Sequence, residues 1–284
     1  MTRAAYAVTE SSSEHRFVFG GVALELHPGR DVHLPSRELL DPFGMSYSVE
    51  PVVAHARCAV FLDPHLSGPS SRRIDWEWQG DRCGVRTARA HAELLRTSPG
   101  LYAGRSFHSG GATDWVNALN AVTAAICCRE GGVIIHAAGV VVEDRAFLFI
   151  GPSGAGKSTA AGLCYRGREL AFDRAAVYPV GTDWYAVGLT GGEASGLRPA
   201  PRRPHRVGGI FRIRQSDRLA ARPMDIVSAL VSLRESTQAL GRSADEERTL
   251  DSLSRLAGAG LCGSLHTVLG RDVTAVLGGV CGGS

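Results

Sequence analysis

Apolar and polar positions alternate with a period near two from the N-terminus to about residue 115, the mark of strands with one buried face. Phe17-Val18-Phe19 and Val22 to Leu26 flank Gly20-Gly21 and predict a hairpin. Ala59 to Leu62 and Ile74 to Trp78 are further strands, the latter with Ile74, Trp76 and Trp78 on one face and Asp75 and Glu77 on the other. Ala88 to Arg96 fits a short strand or a short helix. The period then changes. Trp115, Leu119, Val122 and Ile126 recur at helical spacing, Thr113 or Asp114 is placed to cap that helix, and Gly131-Gly132 end it.

Short apolar runs follow at Val133 to Ile135, Val140 to Val142 and Ala146 to Ile150, with Glu143-Asp144-Arg145 as a tight polar turn between the last two. Ser158 to Arg166 is small and apolar enough for a helix that Gly167 stops. Glu169 to Asp173 predicts a strand, and Ala175 to Pro179 with Trp184 to Leu189 a hairpin about Gly181-Thr182-Asp183. Val207 to Arg214 predicts another strand. Helices are expected from Pro223 to about Glu235 and from Thr249 to Ala257. A strand at Leu261 to Val268, a short helix at Asp272 to Leu277 and a frayed tail from Gly278 close the chain. Two domains are expected: a smaller, mainly antiparallel β domain over residues 1–112, suited to recognising a partner or substrate, and an α+β or α/β domain over residues 113–284.

Gly151-Pro152-Ser153-Gly154-Ala155-Gly156-Lys157-Ser158-Thr159 lies between a predicted strand and a predicted helix. It has the G-x-x-x-x-G-K-S spacing of a Walker A phosphate-binding loop. Glycines let successive backbone N–H groups turn inward toward phosphate oxygens, and the positive end of the following helix faces the same anion. Lys157 would reach the β- and γ-phosphates of a nucleotide, and the Ser158 hydroxyl would sit on Mg²⁺. Lys157 is also the only lysine of the chain. In a chain so biased toward arginine, a compact point charge stands where a planar fork would not fit.

Composition narrows the function classes. The 284 residues carry a net charge of +3, too small to argue for nucleic acid or an anionic membrane. No apolar stretch is long enough to cross a bilayer, and Met1 to Phe19 lacks an apolar signal core, so a cytoplasmic location is expected. The 7 cysteines form no C-x-x-C pair and are expected as free buried thiols, with no zinc site. His15, His27, His33, His55, His65, His91 and His108 are scattered and expected at surface or loop positions. Arg198, Arg202, Arg203 and Arg206 fall in a Pro-rich segment read as a loop that either clamps an anion or is simply solvated.

The run His136-Ala-Ala-Gly-Val, a short hairpin, Phe147 to Thr159, a helix, and Glu169-Leu-Ala-Phe-Asp173 resembles the HPr kinase/phosphorylase family. It is also similar to the ATP-dependent phosphoenolpyruvate carboxykinases. The resemblance covers residues from about 115 to the end. It implies a mixed-sheet, carboxykinase-like P-loop core that binds ATP and Mg²⁺. It implies a kinase that transfers the γ-phosphoryl group to a hydroxyl of a protein, a peptide or a small molecule. The resemblance puts Gly151 to Thr159 on the triphosphate, makes Lys157 and His136 active-site groups, and gives Asp173 the acceptor or the metal. It also makes Glu193 a metal-site carboxylate beside Ser158 and Asp173. The family carries Asp-Asp where this chain has Phe172-Asp173, and Asp173 aligns with either member of that pair. A nucleotide-binding regulator with weak or no catalysis is therefore the alternative. The acceptor, the choice of ATP or GTP, the reverse dephosphorylation and the subunit number, a homo-oligomer included, stay open.

Overall fold

The structure is a computed structural model and describes residues 15–19, 21–29, 51–63, 65–66, 75–87, 89–109, 112–189, 197, 200, 203–237 and 243–277. It is a mixed α and β protein, mostly strands, built on two mixed sheets. The first sheet is seven-stranded and comprises β1 (His15–Phe19), β2 (Val22–Pro28), β3 (Ala54–Leu62), β4 (Asp75–Gln79), β5 (Arg82–Arg86), β6 (Ala90–Ser98) and β7 (Leu101–His108), in the order β1-β2-β3-β7-β6-β5-β4. Its alternation is plain in β3, where Ala54, Ala56, Cys58 and Val60 are buried and His55 and Arg57 are exposed. The sheet is less antiparallel than the sequence suggests, because β3 runs parallel to both β2 and β7. Alternation reports which face is buried, not the direction of the neighbouring strand.

Helix α1 (Ala112–Arg129) packs on that sheet. The predicted stripe understates its burial: Ala118, Leu119, Ala121, Val122, Ala124, Ala125, Ile126 and Cys127 are all within the core. A helix apolar nearly all round is a central helix, and α1 lies between the two sheets. Its C-terminal end is tied to the first sheet by Arg96 Nε and Tyr102 OH, which both donate to Glu130. Burial raises the Tyr102 hydroxyl above its ordinary range, and the hydrogen bond to Glu130 adds to this.

The second sheet contains β8 (Val133–His136), β9 (Ala138–Val142), β10 (Arg145–Ile150), β11 (Arg168–Ala171), β12 (Arg174–Val180), β13 (Asp183–Gly188), β14 (His205–Gln215), β15 (Ala220–Pro223) and β16 (Cys262–Thr267). Its main path is β11-β9-β10-β14-β13-β12-β8, with β16 on β14 and β15 on β16. The sheet folds back on itself. His136 faces Arg174 across β8 and β12, Gly139 faces Ala171 across β9 and β11, and these two antiparallel pairs fall in one register, which shifts by a residue beyond Ala171 toward Glu169. One pair of long strands is thus bent at His136 to Ala138 and at Phe172 to Asp173. Gly188 permits the fold-back, since a Cβ there would stand 2.0 Å from the Leu170 carbonyl oxygen.

Helices α2 (Lys157–Gly162), α3 (Ile226–Ser236), α4 (Ser243–Gly258) and α5 (Thr274–Leu277) complete the fold. On β10, Ala146, Leu148 and Ile150 face a core shared with α3 and α4, while Phe147 and Phe149 face one shared with α2 and α5. Both faces of β10 are covered, which is why it reads as an unbroken apolar run. Several predicted boundaries move, two of them at helix ends with a visible cause. Helix α2 stops at Gly162, where a Leu163–Cys164 turn closes with Cys164 N donating to Ala161 O. Pro223 ends β15 instead of opening α3; Asp225 caps that helix by accepting from Ser228 N at 2.9 Å.

The described cysteines are free, and Cys58, Cys83, Cys127, Cys164 and Cys262 are buried. Burial pushes the Cys58 and Cys164 thiols up to about 12. His108 departs from the expected surface histidines: it is buried at the end of β7, and desolvation lowers its pKa while the charge of Asp114 opposes this. No helix of the described residues is long and apolar enough to cross a membrane. The predicted tail from Gly278 lies outside the described residues.

Candidate functional site

Strand β10 delivers the chain into Gly151 at the end of the sheet where the bent strands turn. The β9–β10 register sets Ala138 opposite Phe149, so His136 and Ala137 lie level with Ile150 and Gly151. The β9–β11 register brings Ala171, and with it Phe172 and Asp173, to the same level. One sheet end therefore gathers the phosphate-loop sequence, His136 and Asp173.

In the loop, Gly151, Gly154 and Gly156 have φ of 143°, 78° and 94°. These values are open to glycine and strained for other residues. Pro152, Ser153 and Gly154 are exposed, and a Cβ on Gly154 would meet nothing within 4 Å, so the loop faces open space there. Gly156 precedes α2 without a side-chain cap, and Ser158 and Thr159 on its first turn are exposed. The Lys157 ammonium lies over its own loop, donating to Gly151 O at 3.0 Å and Pro152 O at 3.1 Å. Desolvation lowers its pKa, while the negative charge of Asp173 pulls the other way. Partial burial of a cation between carbonyl oxygens and a carboxylate is an arrangement an anionic ligand can take over, exchanging carbonyls for phosphate oxygens.

At the bend, His136 Nδ1 stands 3.0 Å from Asp173 Oδ1, and Arg174 Nε stands 3.5 Å from Asp173 Oδ2. Ala137 N donates to Asp173 O at 3.0 Å, which fixes the two strands across the corner. The side chains of His136 and Asp173 are each 39% exposed, enough to meet a ligand without being free in solvent. Phe172 beside them is exposed as well. The bend explains this clustering: a regular ladder would send alternate side chains into buried cores, and the corner turns them outward instead.

Glu193 lies outside the described residues, as do Arg198 and Arg202. Arg203 and Arg206 are placed away from the loop. Arg206 is level with Arg145, at the start of β10, and binds Asp183; Arg203 binds Asp144 in the β9–β10 turn. The length of β10, about 20 Å at strand rise, separates them from Gly151. Among the described residues no group of three or more His, Cys, Asp or Glu side chains is set to hold a metal ion. Of the residues that the sequence offers for a cation, Ser158 and Asp173 are the two that lie at this end, and two oxygen donors would suit only a cation that keeps most of its waters.

Two arginines here went unassigned in the sequence. Arg174 follows Asp173 and faces its carboxylate. Arg212 is level with Ile150 on the parallel neighbour β14, with Nη1 3.2 Å from Ser232 Oγ and 2.8 Å from Glu235 Oε2. The available signal for Arg212 was a lone charge inside the apolar run Val207 to Ile213. No protein-family model matches the chain, and no curated protein matches it significantly.

Proposed function

We propose that the protein is an ATP- and Mg²⁺-dependent phosphotransferase of the HPr kinase-like type, with a hydroxyl on a protein, peptide or small molecule as acceptor. The observation that carries this reading is the meeting, at one sheet end, of the Lys157 loop with the His136–Asp173 pair. Phosphoryl transfer asks mainly for positioning and for neutralisation of charge on the transferring group, and these groups are of the right kind. Backbone N–H groups of Gly151 and of residues 153 to 157, with the Lys157 ammonium, would hold the triphosphate, and Ser158 and Asp173 would hold Mg²⁺. The metal would supply further charge neutralisation. Entry to the loop from the β9–β10 hairpin, without a helical crossover, supports a phosphoenolpyruvate carboxykinase-like core over residues 113–284. Residues 1–112 would then serve partner recognition. Free buried thiols and a nucleotide substrate fit a cytoplasmic setting. The test is release of ADP and transfer of label from γ-labelled ATP by the purified protein, with loss of both in Lys157→Ala.

A second reading is favoured by Phe172, an exposed aromatic ring beside Asp173 where one of the two alignments with the resembling family puts a carboxylate. A nucleotide-binding regulator would gain thermal stability from ATP–Mg²⁺ but form no ADP. Phe172→Asp separates the two: transfer that appears only in this variant assigns the natural chain to the regulator.

A further inference from the structure

We propose that Arg212, Arg214 and Arg222 form the docking face for the phosphoryl acceptor, and that this acceptor is an acidic stretch of polypeptide carrying the reacting hydroxyl. This rests on the phosphotransferase reading above. At the loop end of the second sheet, β10, β14, β16 and β15 lie side by side. Ladder partners point to the same side of a sheet, and Ile210 with its partner Cys262 faces the core under α3 and α4. Two positions further on, Arg212, Ser264 and Arg222 therefore form one row on that face, and Arg214, His266 and Ala220 form the next. Here the core ends and the face opens, with Arg214 and Arg222 exposed.

Arg212 is the inner member, level with Ile150, the last residue before the loop. Its Nη1 donates to Ser232 Oγ at 3.2 Å and forms an ion pair with Glu235 Oε2 at 2.8 Å. A Cβ on Gly156, just before α2, would stand 4.0 Å from Ile213 Cγ2, so the loop closes against β14 between Arg212 and Arg214. The nearby carboxylates are accounted for. Glu235 is taken by Arg212, and Asp225 accepts from Ser228 N and Ser228 Oγ in the first turn of α3. Asp217 accepts from Ser216 Oγ in the β14–β15 turn, where Arg218 is its neighbour in sequence. Arg214 and Arg222 have no carboxylate partner among the described residues.

The side of the sheet matters as well. Helix α2 packs on the opposite face, with Phe147, Phe149 and Ile213, and would hold the triphosphate from there. In-line transfer sets the acceptor and ADP on opposite sides of the γ-phosphorus, and the arginine rows lie on the side left for the acceptor. An open face suits a chain better than a small metabolite, which is usually enclosed in a pocket. Arg212 and Arg214 are about 7 Å apart along the strand, the spacing of alternate carboxylates on an extended peptide. A nucleic-acid backbone asks for more cations than this face and a net charge of +3 offer.

The probes are fluorescein-labelled twelve-residue peptides of alternating Glu and Ser, with Gln-Ser and Lys-Ser peptides as controls. Anisotropy gives Kd, and label transferred from γ-labelled ATP–Mg²⁺ to serine gives kcat/KM. Wild type is compared with Arg214→Glu/Arg222→Glu and with Arg82→Glu/Arg86→Glu, which makes the same charge change on exposed positions of β5 in the first sheet. Wild type should favour the Glu-Ser over the Gln-Ser peptide about tenfold in both quantities, and the preference should shrink as salt is raised. Reversal at Arg214 and Arg222 should abolish the preference or turn it toward the Lys-Ser peptide, and reversal on β5 should keep it. Arg214→Gln/Arg222→Gln repeats the comparison without reversal and should also lose the preference. Equal use of the Glu-Ser and Gln-Ser peptides by wild type overturns the proposal, as does a preference that survives both changes at Arg214 and Arg222. Free glutamate or inorganic phosphate that displaces the Glu-Ser peptide at equal concentration makes the ligand a small anion and overturns the choice of a polypeptide. Arginine-dependent binding with no label on serine, in a protein that still cleaves ATP, makes the face a docking site apart from transfer and overturns the acceptor assignment. A wild-type protein that neither binds nor cleaves ATP instead overturns the phosphotransferase reading itself.

Discussion

At its start, β10 leaves a two-residue turn in which Glu143 and Asp144 both take positive φ. Asp144 is tied there by Arg203 Nη2 at 2.6 Å and by the buried His205 Nδ1 at 3.0 Å. At its other end, six residues on, the same strand opens into glycines, an uncapped short helix and a lysine bonded only to its own loop. Charge is present at both ends. At the first it joins separate segments of the chain; at the second Arg212 ties β14 to α3, but the loop lysine holds only its own loop. A strand covered on both faces can carry a loosely held loop at one end because the other end is firmly tied.

Mutations at the two ends should therefore read out in different assays. The largest effect is expected from Lys157→Ala, a loss of about a hundredfold or more in ADP release, since an ammonium aimed at the transferring charge is removed. Its melting temperature should stay near wild type, because among the described residues the ammonium hydrogen-bonds only to Gly151 O and Pro152 O. A large fall in stability would mean that the lysine belongs to the fold. Next comes Phe172→Asp, which places a second carboxylate at the corner. It should strengthen Mg²⁺ dependence and raise ADP release about tenfold, the scale of one added charged ligand near phosphate. No change would show that the corner does not meet the metal.

Asp144→Ala should give the opposite signature. About 1 kcal/mol of stability is expected to go, discounted for the exposure of Asp144 and Arg203, with ADP release untouched. Differential scanning calorimetry checks the first and the coupled ADP assay the second. The smallest effect concerns His108, away from both ends. Its folded pKa lies below its unfolded value because its imidazole is desolvated, so the unfolded chain binds the extra proton. Stability should hold at neutral pH and fall as pH drops through about 6.5 toward the lowered folded value, and His108→Gln should flatten that slope.

The phosphate loop was legible because its signal is local: spacing, flanking apolar run and helix start all lie between Ala146 and Arg166. The β9–β10 turn was legible for the same reason. What no local pattern carries is the register that sets His136 opposite Arg174 and Gly139 opposite Ala171, residues separated by β10, the loop and α2. In the sequence His136 and Asp173 are linked only through a resemblance; their 3.0 Å approach follows from the bend of the paired strands. Arg212 was hidden because its importance depends on which strand lies beside β10, and β14 is more than fifty positions later. The burial of α1 was underread because alanines fill its other faces, and alanine is silent about exposure. At Pro223 a strong helix-start signal was overridden by pairing of β15 with β16, with Asp225 two positions later supplying the cap.

Tyr178 of β12 crosses from the second sheet to the first. Its ring rests against Gly21, where a Cβ would come within 2.2 Å, and its hydroxyl donates to Pro51 O at 3.0 Å. Ile134, Ala176, Val187 and Leu189 join the same core as the first sheet and α1. The two sheets are thus not interchangeable modules. Cutting the chain after α1 and expressing the nucleotide-loop half alone would bare this shared apolar wall, and the fragment should aggregate instead of folding as a miniature version of the whole.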